Sequence, residues 1–168
     1  KEVTLYVYAE DCSPNIPAKN VVLRDLHQSS KPLVDFKNKW KNVPKANGDV
    51  SMDPVRSRRK DAGKGFKWDA VRFAHKVYSI FHCAEHTDAD VLFWMDADMI
   101  CHSPITLDKL DQLVNEKVDL SYVGRERKWP ECGLYSINLK SREGINFLKA
   151  FQNVYDDAEN GIFQMEEW

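Results

Sequence analysis

VLFWMDADMICHSP, Val91 to Pro104, runs five apolar residues straight into two aspartates separated by one alanine. The run is too short for an ordinary helix. A continuous rather than alternating apolar segment is the pattern of a strand covered on both faces, as in parallel sheets flanked by helices, which predicts a strand over Asp90 to Met95. Extended geometry turns residues i and i+2 to the same side, so Asp96 and Asp98 are expected to face one point at the strand's carboxyl end. Two like charges there need a cation. Hard divalent ions, Mg2+ or Mn2+, suit the arrangement, because they accept one or two carboxylates and fill the rest of an octahedron with water and substrate phosphates. Asp-x-Asp by itself is common and more often a solvated turn; the preceding apolar strand is what distinguishes this one.

The flanking sequence extends this pattern. Upstream, Val71, Ala74, Val77, Tyr78, Phe81 and Ala84 recur at helical spacing, with Asp69 where a cap or first-turn carboxylate complements the helix N-terminus. At about 100° per residue Asp69, Arg72 and Lys76 share a sector of roughly 60°. Three charges projecting together are either surface pairs, worth a few tenths of a kcal/mol each, or a binding face. Downstream, Ser103-Pro104 stops the strand, Thr106 to Val114 reads as a short amphipathic helix, and Val118 to Val123 and Leu134 to Leu139 read as strands. Ser141 caps a last helix carrying Ile145, Leu148, Phe151, Val154 and Tyr155. Toward the N-terminus, Val3, Leu5 and Val7 alternate as a strand, Asn20 to Leu26 is a second, and Pro32 to Trp40 has the spacing of a short helix. From Lys41 to Lys67 periodicity disappears among Pro, Gly and the basic run Arg56 to Lys60, predicting a long mobile loop, either a ligand lid or a solvated linker. Strands and helices alternate, which predicts an α/β domain with a mostly parallel sheet and a ligand beyond the strands' carboxyl ends.

Composition limits the function classes. The chain has 168 residues, 43% hydrophobic and 30% charged, enough for one core-bearing domain. A net charge of −2 and a pI near 6.2 give no general field for nucleic acid or a membrane surface. No apolar run approaches the roughly 18 residues of a membrane span, and KEVTLYVYAE lacks signal-peptide features, so a cytoplasmic location is expected. Cys12, Cys83, Cys101 and Cys132 form no CxxC pair, and the HCAEH cluster, His82 to His86, matches no zinc signature. Both ends read as cut, the first residues already belonging to a strand.

FWMDADM, preceded by WDAVRFAHK and followed by ECGLYSINL, resembles the DxD-containing glycosyltransferases of the GT-A fold, over Lys64 to Leu139. The resemblance implies a Rossmann-like GT-A domain, mostly parallel and flanked by helices, single over residues 1–168 and truncated at its C-terminus. It implies a hexosyltransferase-like enzyme with Mn2+ or Mg2+, a nucleotide-diphospho-sugar donor, and a carbohydrate, lipid or protein acceptor. Asp98 would bind the metal directly, and Asp96 the ribose or a metal-bound water. Asp69 and Arg72 match the family's Asp-x-x-Arg, with Lys76 adding charge beside the diphosphate. Tyr8 would stack on the base with Glu10 as a polar contact, unless the two are a strand-end surface pair. Glu131 resembles an acceptor-side carboxylate able to orient or deprotonate a hydroxyl. A metal shell of this kind is often completed by a His or Asp near the C-terminus, which GIFQMEEW does not supply; His102 is the nearest histidine. Two other readings stand beside this one. Haloacid-dehalogenase-like phosphatases also place Asp-x-Asp after an apolar strand, with Lys149 and Asp156-Asp157 as the matching later groups, and a non-catalytic sugar- or metal-binding module needs no turnover.

Overall fold

A computed structural model describes residues 3–60, 62–63, 65–113, 118–128 and 130–165. They form a mixed α/β chain that divides into two compact units, residues 3–82 with 151–165 and residues 83–150.

The first unit opens with two parallel strands, β1 (Leu5–Ala9) and β2 (Val21–Asp25), in register from Leu5 opposite Val21 to Ala9 opposite Asp25. Asp25 then caps the single turn α1 (Leu26–Ser29), its carboxylate accepting from the Gln28 amide at 2.8 Å. Helix α2 (Lys31–Trp40) follows, with Pro32 in its first turn and Leu33, Phe36 and Trp40 buried along one stripe. In α3 (Ala70–Glu85) the cap expected of Asp69 is present: its Oδ1 accepts from the Arg72 amide at 2.9 Å. The core of this unit is aromatic. Phe36 lies 5.8 Å from Tyr78 and 5.6 Å from Tyr155 between ring centroids, and Trp40 meets Phe163 edge-on at 4.8 Å. Each such side chain taken from water stabilises the fold by roughly 1.5–3 kcal/mol.

The segment expected as a long mobile loop is packed instead. It is built of 3-10 turns at Pro44–Asn47, Arg56–Arg58 and Gly65–Trp68, and buries Ala46, Val50, Arg56 and Trp68. Gly48, at φ +80°, lies so close to Gly65 that a Cβ would overlap the Gly65 carbonyl oxygen. This backbone contact pins the two ends of the segment together, and glycine at both positions is what permits it.

The second unit contains β3 (Val91–Met95), α4 (Leu107–Leu113), β4 (Leu120–Val123), β5 (Glu131–Asn138) and the start of α5 (Arg142–Asp156). The expected extension of α4 to Val114 lies outside the described residues. Ser141 caps α5 as expected, its hydroxyl accepting from the Gly144 amide at 2.9 Å. The sheet order is β3-β5-β4, and β5 is antiparallel to both neighbours.

A mostly parallel sheet is therefore not what the described strands form, since β1–β2 is the one parallel pair among three. Two physical reasons account for the difference. The connection from β4 to β5 is only residues 124–130 long, a hairpin-like loop; a parallel return needs about a dozen residues or more. In β3, burial alternates although hydrophobicity does not: Leu92 is 6% exposed while Phe93 and Met95 are 37% and 42% exposed. A strand without polar residues hides its own alternation. With β5 reversed between them, β3 and β4 run the same way, so their carboxyl ends and the first residues of β5 share one edge of the sheet. No helix among the described residues is long and apolar enough to cross a membrane.

Candidate functional site

The shared edge of the second unit carries the acidic residues singled out in the sequence. The strand ladder stops at Met95, opposite Leu134, but the Asp96 amide still donates to the Gly133 carbonyl at 2.8 Å. The Met99 amide then donates to the Asp96 carbonyl at 3.1 Å, closing a turn over residues 96–99. The alternation rule that predicts Asp96 and Asp98 on one side of a strand thus ends before it reaches them: they occupy a turn.

Asp96 is half-buried and held in place. Its Oδ1 accepts from the Trp94 indole Nε1–H at 2.6 Å. Its Oδ2 lies 3.2 Å from the position a Cβ would take on buried Gly133, so the glycine opens a notch beside the carboxylate. Glu131 borders the same notch. Its Oε1 is 3.5 Å from that Cβ position and accepts from the Gly133 amide at 3.2 Å, while Oε2 pairs with Arg125 Nη1 at 3.0 Å. Asp98 is exposed, and among the described residues it makes no hydrogen bond or ion pair. The edge therefore presents one anchored carboxylate, Asp96, and one tied to an arginine, Glu131, beside a position cleared by glycine, with Asp98 exposed in the adjoining turn. Oxygen donors of this kind suit a hard divalent ion. His102 is exposed.

In the first unit, Asp69 spends one oxygen capping α3, Arg72 is exposed and Lys76 half-buried. Tyr8 donates to, or accepts from, His82 Nδ1 across 2.7 Å, and the rings meet edge-on at 5.5 Å. Within each unit the structure brings Asp96 beside Glu131 and Asp69 beside the Arg72 amide. Lys149 and Asp156-Asp157 fall along or just beyond α5, not at strand ends, and Asp156 accepts from the Tyr78 hydroxyl at 3.0 Å.

Glu10 sits in a constellation that the sequence does not announce. The register of β1 against β2 sets Ala9 opposite Asp25, bringing the chain that continues to Glu10 alongside the chain that continues to His27. Glu10 Oε1 lies 2.6 Å from Lys37 Nζ, 3.1 Å from His27 Nε2 and 3.2 Å from His75 Nε2. Lys37 Nζ is also 3.0 Å from His27 Nε2. Burial raises the Glu10 pKa, but the hydrogen bond from Lys37 and the charges of His75, Lys37 and His27 outweigh it and hold the carboxyl below its ordinary value. For His75 burial wins, aided by Lys37 and His27 against the pull of Glu10, so its pKa is lowered and the neutral ring favoured. His75 Nε2 is a buried atom with no hydrogen-bond partner.

Sequence reasoning misses His27, Lys37 and His75, and at the other edge Trp94, Arg125 and Gly133. The ECG triplet before the last strand holds a usable signal, since a glycine inside a strand pattern marks a close approach of other atoms. Compared with known proteins, the chain matches no family model, no curated protein and no solved structure.

Proposed function

We propose that this chain is the donor-binding domain of a metal-dependent glycosyltransferase, acting on a nucleotide-diphospho-sugar. The observation that carries the reading is the strand end where Asp96 and Glu131 border the notch beside Gly133, with Asp98 exposed two residues on in the adjoining turn. Asp96 and Asp98 would hold Mn2+ or Mg2+, which supplies charge neutralisation to a departing diphosphate. The work of the chain's own residues follows from their environment. Trp94 fixes the Asp96 carboxylate so that binding does not have to order it. Asp98, unengaged, is available to a ligand. Glu131, paired with Arg125 Nη1 at 3.0 Å, would orient an attacking hydroxyl or take its proton. Asp69, Arg72 and Lys76, at the head of α3 in the first unit, are left out of this site. Tyr8 and Glu10, whose polar atoms are engaged by His82 and Lys37, are given no part in it. The GT-A architecture is part of the same proposal, as is a carbohydrate, lipid or protein acceptor.

The test is a thermal-shift and turnover panel of nucleoside diphosphates and nucleotide-sugars with and without Mn2+, repeated on Asp98→Ala. Stabilisation that requires both the metal and Asp98, with release of nucleoside diphosphate, is expected. Stabilisation independent of both would sink the site, release of phosphate from a simple phosphate monoester would favour the phosphatase reading, and binding without turnover would leave a non-catalytic module.

A further inference from the structure

We propose that Glu10, His27 and His75 form a binding site for a borderline-soft divalent metal of the zinc class, distinct in ligand chemistry from the all-oxygen carboxylate edge, with Lys37 occupying the ion's place until it binds.

The inference begins with donors and acceptors. Glu10 Oε1, His27 Nε2 and His75 Nε2 converge within 4.8 Å of one another. His75 Nε2 lies 3.2 Å from the Glu10 carboxylate oxygen without hydrogen-bonding to it, a buried ring nitrogen that has no partner. A ring nitrogen left without a partner out of water is unfavourable unless a donor or a cation meets it. Lys37 supplies one ammonium, which reaches Glu10 and His27 at 2.6 and 3.0 Å but leaves His75 unsatisfied. Three acceptors thus surround a cation that serves two.

A metal ion serves all three. At zinc-to-ligand distances of about 2.0–2.1 Å, a tetrahedral centre spaces its ligand atoms about 3.3 Å apart. The observed separations of 3.1 and 3.2 Å from Glu10 to the two histidines are close to that value, and all three ligand atoms lie within 4.8 Å of one another. Two imidazoles and one carboxylate select zinc-class ions over Mg2+, and three protein ligands leave a fourth position for water or another group. Lys37, on a long flexible stem and 25% exposed at its side chain, can turn outward when the ion enters.

The experiment titrates the chain with Zn2+ against a chromophoric chelator and records the visible spectrum with Co2+. One equivalent is expected, with a Co2+ absorption band of four- or five-coordinate character and a raised unfolding temperature. His75→Gln and His27→Gln each weaken zinc binding at least tenfold and lose the band, while Lys37→Met tightens it severalfold by removing the competitor. Asp98→Ala leaves zinc binding unchanged, which separates this site from the carboxylate edge and lets either proposal fail alone. Metal-free unfolding of each variant confirms that it is folded. No zinc bound by the intact chain, wild-type affinity in folded His75→Gln, weaker binding in folded Lys37→Met, or loss of binding in Asp98→Ala would overturn the assignment.

Discussion

Gly133→Ala separates a functional notch from a packing joint. Gly133 does not have a positive φ, so alanine adopts its backbone conformation without strain. The new methyl would sit 3.2 Å from Asp96 Oδ2 and 3.5 Å from Glu131 Oε1, the first tighter than ordinary carbon-oxygen contact. Asp96 has to yield a few tenths of an ångström, and because Oδ1 is anchored on the Trp94 indole at 2.6 Å the carboxylate pivots about that bond. For stability, gain and loss nearly cancel. Restricting the unfolded chain contributes about 0.4–1 kcal/mol, and mild crowding costs about 1 kcal/mol, so the net change stays within about 1 kcal/mol. For metal binding they do not cancel, since a ligand set tolerates displacements of only about 0.2 Å. Mn2+ affinity is expected to fall about tenfold, the equivalent of ~1.4 kcal/mol, and further in Gly133→Val. Free Mn2+ measured by electron paramagnetic resonance during titration, beside urea unfolding of the same samples, reads both quantities. Unchanged affinity in both variants would remove Asp96 and the notch from the site. A loss of several kcal/mol of stability would make Gly133 a packing residue instead.

Two further substitutions test the frame around the sites. Gly144→Ala lies in the first turn of α5, where helix propensity alone favours alanine by about 1 kcal/mol. There a Cβ would overlap the Asn138 carbonyl oxygen and approach Ser141 Oγ to 2.8 Å, so destabilisation of about 2–3 kcal/mol in urea is expected, and a stabilised variant would refute the close approach. Asp53 accepts from the amides of Arg56 and Val55 at 2.7 and 2.9 Å and faces the buried Arg56 guanidinium at 3.7 Å. The Arg56 amide bond, then, against burial, the Val55 amide and the charges of Arg56 and Lys45, holds its pKa below the ordinary 3.8. A depressed carboxyl contributes stability that is fully present above the unfolded pKa and is lost as pH falls through the folded value. Asp53→Asn is therefore expected to be less stable near neutrality and to show a shallower loss on acidification below about pH 4; parallel curves for the two proteins would refute that role.

How much of this was legible in the sequence follows from the range over which each interaction acts. Helix α3 carries its own signals within one stretch, apolar spacing from Val71 to Ala84 and Asp69 at its head, and local signals suffice to place it. The carboxylates were legible as strand-end groups for the same reason. Their geometry was not, because whether Asp98 continues a strand or enters a turn depends on where the β5 ladder stops, at Leu134, in a partner 39 positions from Met95. Arg56 reads in the sequence as part of a long mobile basic loop although Asp-Pro-Val-Arg holds a local turn signal: Asp53 accepts from the amides two and three residues on. The Glu10 constellation lies at the far limit. Its members follow β1 or sit in α1, α2 and α3, with no spacing in common, and what joins Glu10 to His27 is the parallel register that sets Ala9 against Asp25. A one-residue slip in that register would turn every side chain of β2 to the opposite face. The cluster is thus a product of strand registry, whereas the carboxylate edge is a product of local sequence brought to a shared sheet edge.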